Sequence, residues 1–99
     1  RNLRELITRI RASTTAEIVL FSTFPPNPKW MHGTQRMAEY AATTARVADE
    51  TGCAYADVFN HWQAMAARKR PEDLLANNIN HPNDFGHWIY YRVFSALGL

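Results

Sequence analysis

The residues best able to do chemistry lie close together near the C-terminal end, in the run Asn-Asn-Ile-Asn-His-Pro-Asn-Asp-Phe-Gly-His over residues 77–87. His81 stands there in a loop. Pro82 fixes the backbone behind it, and Asn83 is placed to cap a helix. Imidazole exchanges its proton near neutral pH, which makes His81 a candidate general base. Asn78, three positions earlier, can accept a hydrogen bond from the ring and so hold its tautomer. As a neutral amide it cannot supply the negative charge that stabilises an imidazolium. Against this stands a plainer reading, in which His81 is a loop histidine at a helix start and no more.

The other chemistry-bearing residues are less well placed. His87 is expected to be structural or exposed. His32 and His61 have no partner at metal-ligand spacing, and the chain has no C-x-x-C and no H-E-x-x-H, so a metal centre built from His61, His81 and His87 would need the fold to assemble it. Ser22 ends an apolar run but lacks a G-x-S-x-G elbow and any glycine neighbour, and is read as structural. Asp57 is read as a helix cap and Cys53 as core. Asp84 is the nearest acid after His81, though the helix start can point it away. Trp30 and Met31, on a proline-stopped loop, either wall an acyl or sugar pocket or cover a satellite hydrophobic cluster.

These side chains need elements to hold them. Residues 1–12 read as a helix with Leu3, Leu6, Ile7 and Ile10 on one face. Residues 17–24 form a continuous, β-branched apolar run, predicting a strand buried on both faces, which Pro25-Pro26-Asn27-Pro28 stops. A long loop leads to a helix over 34–51 with Met37, Tyr40, Ala41, Thr44 and Ala48 on one stripe and Gly52 to end it. Residues 53–59 predict a second strand, Asn60 caps a helix over 61–68, and a helical turn is expected at 72–76. The last helix spans 84–97, with an apolar stripe of Phe85, Trp88, Ile89, Val93 and Leu97. Helices alternating with buried strands predict an α/β fold with a parallel sheet and helices on both faces. Two strands are too few for such a sheet, so further strands are expected before Arg1.

Composition narrows the function. The chain has 99 residues, 46% hydrophobic and 20% charged, with a net charge of +2. That is a globular composition. The one tight basic run, Arg68-Lys69-Arg70, reads as a solvated helix end, and no clustered basic face of the kind nucleic acid requires is present. No apolar run reaches the ~20 residues of a membrane span. Cys53 alone excludes an internal disulfide and leaves the compartment open. The chain begins at Arg1 and not at Met, so its native N-terminus is expected further upstream.

The segment His81-Pro82-Asn83 with Gly86-His87 resembles the last block of the SGNH/GDSL hydrolases, in which an Asp-x-x-His-Pro pattern opens the C-terminal helix. The strand ending in Phe24-Pro25-Pro26 and the alanine-rich helix before residues 53–59 are similar to the preceding units in order and spacing, so the resemblance covers almost the whole chain. It implies a three-layer α/β/α sandwich with a parallel sheet (a flavodoxin-like SGNH fold), of which residues 1–99 are an incomplete C-terminal portion of a single domain. It also implies a serine ester hydrolase that needs no cofactor and acts on acyl esters, small-acyl or carbohydrate esters among them. His81 would be its catalytic histidine. The family's nucleophilic serine and its oxyanion glycine and asparagine lie upstream of the matched region, and Asn27, Asn60 and Asn77 are out of context for that asparagine. Where the family usually has Asp, this chain has Asn78, an exchange that costs a serine protease about four orders of magnitude in turnover. On this reading the chain alone is inert, and the missing N-terminal half or another chain is its partner. The competing reading is a degenerate SGNH fold that binds a carbohydrate or a partner chain without catalysis.

Overall fold

The computed structural model describes residues 2–31, 33 and 35–99; Arg1 and Thr34, at two expected helix starts, and His32, read as without a partner at metal-ligand spacing, lie outside them. The elements run α1 (Asn2–Ser13), β1 (Val19–Phe21), α2 (Met37–Thr51), β2 (Ala54–Ala56), α3 (Val58–Ala66), a 3-10 turn (Pro71–Asp73) and α4 (Asp84–Ser95). The two strands pair in parallel, with Leu20 opposite Tyr55 and Phe21 opposite Ala56.

Alternation along β1 divides the side chains between two faces. Leu20 joins Ile7 of α1 and Val47 and Ala48 of α2 in one cluster, with Tyr55 packed against it. On the opposite face Ala56 joins Val58 and Trp62 of α3, Leu74 and Leu75, and Ile89 and Val93 of α4. The layers are therefore α1 and α2, the sheet, then α3 and α4, as an α/β sandwich requires.

Several boundaries differ from the sequence reading. The strand expected over 17–24 is ladder-paired over Val19–Phe21 only. Its one neighbour among the described residues is the equally short β2, and Phe24 turns away to stack on Trp62 at 4.5 Å between ring centroids. Its burial is also uneven: Leu20 is buried, Val19 half-buried and Phe21 exposed, because α4 covers that face only in part. Strand β2 stops at Ala56 since α3 begins early: Asp57 caps it, as read from the sequence, and Asn60 does not, the Asp57 carboxylate accepting from the Asn60 backbone N–H at 3.2 Å. On α2 the buried positions are Ala41, Val47 and Ala48, while Tyr40 is exposed. Gly52 ends that helix in a left-handed conformation, φ +69°, as its place after Thr51 predicts. On α4 Trp88 lies outside the buried stripe, 48% exposed.

An aromatic group knits β1 to α4. Phe21 stacks on Phe94 at 5.7 Å and on Tyr90 at 6.2 Å. Burial pushes the Tyr90 phenol above its ordinary value of 10.0, with the Phe24 backbone acting in the opposite direction. The slab measures 43 × 29 × 19 Å.

Candidate active site

The loop that carries His81 is built mostly by asparagine side chains. Asn77 Oδ1 accepts from three successive backbone N–H groups, Ile79 at 3.0 Å, Asn80 at 2.9 Å and His81 at 3.0 Å. The His81 carbonyl accepts from Ala76 N–H at 2.7 Å, and Leu75 bridges to Pro82. The backbone of His81 is thus bonded on both sides. Asn83 then caps α4, its Oδ1 accepting from Gly86 N–H at 2.9 Å, as the sequence predicts. Gly86 lets the first turn of α4 close on its surroundings: a Cβ there would lie 2.6 Å from the Leu74 carbonyl oxygen and 2.8 Å from the Trp62 ring.

His81 is exposed, as is Asn78, and among the described residues neither ring nitrogen of His81 makes a hydrogen bond. The Asn78 side chain bonds elsewhere. Asn27, in the loop after β1, donates from Nδ2 to the Asn78 carbonyl at 2.9 Å and to Asn78 Oδ1 at 3.3 Å. Asn27 N–H donates in addition to the Ile79 carbonyl at 2.7 Å. Because Asn27 follows β1, these bonds set the His81 loop at the end of the sheet where the parallel strands finish, the edge at which open α/β sheets carry their sites. The sequence reading weighed Asn27 only as an oxyanion donor and missed this contact. The one signal for it was a polar residue between two prolines in the loop that follows β1.

The remaining candidates are distributed away from this loop. Ser22, 2% exposed, accepts from Phe59 N–H at 2.8 Å and donates to the Ala56 carbonyl at 3.5 Å, joining β1, β2 and α3. His61 Nδ1 lies 2.8 Å from the carbonyl of Asp57, the N-cap of its own helix. His87 and Asp84 are exposed on the first turn of α4. Cys53 is half-buried against the α1–α2 cluster. Trp30 lines a hollow of about 230 Å³ with Pro25, Pro26, Asn27, Phe59 and Gln63, while Met31 stands 85% exposed outside it. Among the described residues no group of three His, Cys, Asp or Glu side chains could hold a metal ion, and no helix is long and apolar enough to cross a membrane.

The model of the GDSL-like lipase/acylhydrolase family matches residues 1–89. Axe2, an acetylxylan esterase from Geobacillus stearothermophilus, is similar in structure with a TM-score of 0.76 at 22% identity, over 93% of this chain and 42% of that one. A mutant of Axe2, described as an acetyl-xylooligosaccharide esterase, gives 0.77 at 24% identity over the same shares. LAE5, an alpha/beta hydrolase enzyme from the metagenome of Lake Arreo, Spain, gives 0.76 at 26% identity, over 95% of this chain and 43% of that one. The chain spans less than half the length of these solved structures. Three Axe2 structures are described as catalytic mutants; they replace a serine, an aspartate and a histidine, the last two lying three positions apart. No curated protein matches the chain. The match over residues 1–89, on a parallel α/β sandwich, shows that the chain belongs to the GDSL-like lipase/acylhydrolase family.

Proposed function

We propose that the chain is the C-terminal portion of a serine ester hydrolase and supplies its general base, His81. The observation that carries this reading is the position of an exposed histidine on a braced loop that opens the last helix, within a chain matched by the family over residues 1–89. The spacing of Asn78 and His81 equals that of the aspartate and histidine replaced in the Axe2 catalytic mutants. In Axe2 the serine replaced lies further ahead of that histidine than Arg1 lies ahead of His81, which supports a nucleophile from outside residues 1–99. Ser22 does not take its place, since its hydroxyl is buried and already bonded at two sides.

In the proposed reaction His81 takes the proton of the serine hydroxyl as it attacks the ester carbonyl, and returns it to the departing alcohol. Water then cleaves the acyl-enzyme by the same route. The Asn78 side chain is engaged by Asn27 and does not bond the His81 ring, and as a neutral amide it adds no charge, so the proposed enzyme works closer to a Ser–His dyad. No cofactor is required. The acetylxylan esterase neighbours favour small acyl esters of carbohydrates as substrates. In the full-length protein His81→Ala should lower kcat on p-nitrophenyl acetate and on acetylated xylo-oligosaccharides by about 10³-fold or more. Equal turnover of variant and wild type would overturn the reading and leave a carbohydrate-binding or chain-binding module in its place.

A further inference from the structure

We infer that Asn27 is a positioning residue for His81: it is the tether that fixes the histidine loop against the end of β1. The inference rests on the reading of His81 as general base. All four polar groups of Asn27 are engaged. Its N–H donates to the Ile79 carbonyl at 2.7 Å, and its own carbonyl accepts from Trp30 N–H at 2.9 Å. Its Oδ1 accepts from Lys29 N–H at 3.0 Å, and its Nδ2 reaches Asn78 O and Oδ1 at 2.9 and 3.3 Å. Two of these groups brace the loop of Asn27 itself; the other two hold residues 78 and 79.

The arc of residues 77–81 has few other attachments. Asn77 closes it from within, the Leu75 carbonyl accepts from Asn78 N–H, and Ala76 N–H donates to the His81 carbonyl. Among the described residues, Asn27 is the one hydrogen-bond partner of the arc that comes from outside residues 72–97. Asn77, Asn78, Asn80 and His81 are all exposed, so the arc contributes little to the core, whereas Asn27 is 9% exposed and sits on the sheet side. Freeing the arc therefore costs the fold little and costs the placement of the imidazole much. A reacting group misplaced by about 1 Å can lose on the order of 10²-fold in rate.

The test uses the full-length enzyme and p-nitrophenyl acetate. Asn27→Asp keeps the acceptor for Lys29 and removes the donor to Asn78. It should lower kcat by about 10- to 100-fold with KM nearly unchanged. In the His81→Ala background, activity is to be restored with free imidazole, which needs no loop to position it. There Asn27→Asp should leave the rescued rate unaltered. A fall in the rescued rate equal to that in the His81 enzyme, or a kcat unmoved by Asn27→Asp while His81→Ala is inactive, would overturn the role of Asn27 and leave that of His81 intact. Full activity of His81→Ala would overturn the general-base reading itself. If Asn27→Asp does not fold, Asn27→Ser is read in the same way. Failure of both to fold would make Asn27 a determinant of the fold and overturn the proposal.

Discussion

Asn78 has a φ of +58°, the left-handed region, and is the one non-glycine described residue to do so. Asn and Asp enter that region at low cost because the short polar side chain bonds locally, while other L-residues lose about 1–2 kcal/mol. Its conformational and chemical roles can therefore be separated. Asn78→Ala should lower stability to urea by about 1 kcal/mol through backbone strain. Asn78→Gly should relieve the strain yet still lack an acceptor. Asn78→Asp keeps both the conformation and an oxygen facing Asn27 Nδ2, and adds the charge that an imidazolium requires, so its kcat should equal or exceed that of wild type. A glycine variant with full turnover would show that the Asn78 side chain does nothing for His81. The spacing of Asn78 and His81 was legible as Asp-x-x-His with an amide in first place. The bond to Asn27 was not, because the two asparagines are 51 positions apart and only the packing of two loops brings them together.

At the scale of elements, the junction between the 71–83 loop and α4 decides whether His81 has a fixed base to stand on. Gly86 is the contact on which that junction closes. Alanine would improve the helix by up to about 1 kcal/mol, but its Cβ would meet a backbone carbonyl at 2.6 Å, Trp62 at 2.8 Å and Pro82 at 2.9 Å. Overpacking of this kind costs about 1–3 kcal/mol, and Leu74 O is main chain that cannot rotate aside. Gly86→Ala should therefore destabilise the protein in urea titration and lower esterase turnover by moving the loop that precedes the helix. Unchanged stability would mean that α4 shifts freely on Trp62. The caps of α4 and α2 could be read directly, since Asn83 and Gly52 act on neighbours in sequence. Two caps were legible ahead of α3, Asn60 and Asp57, since a strand over 53–59 was expected to run on; Asp57 is the one used, and it ends the strand three residues earlier by claiming the Asn60 N–H.

The whole molecule is a thin slab with a radius of gyration of 14.7 Å, against about 13 Å for a compact domain of 100 residues. Leu6 on one layer, and Phe21, Tyr91 and Phe94 on the other, are exposed. Strand β1 pairs with β2 on one side, and no second partner for it is present among the described residues. An open strand edge beside exposed aromatic side chains favours association. We propose that the remainder of the domain, or another chain, covers this face. Residues 1–99 prepared alone should then associate in light scattering, with Phe94→Glu shifting the population toward monomer. They should also show no hydrolysis of a p-nitrophenyl ester above buffer, for lack of the nucleophilic serine and its oxyanion donors. A compact monomer that hydrolyses the ester through His81 would refute both parts.

What the sequence determined by itself is what local chemistry controls: the helix over α2 with its glycine stop, the asparagine cap of α4, the parallel α/β pattern, and a histidine behind a proline where that last helix opens. Each depends on residues within a few positions of one another, so periodicity and capping suffice to read them. Tertiary structure alone decided how far the strands run, which aromatic side chains are left in solvent, and that Asn27 holds the His81 loop. Those depend on which partner a backbone group meets across the sheet or between loops, and a hydrogen bond between residues 27 and 78 has no trace in the local pattern of either segment.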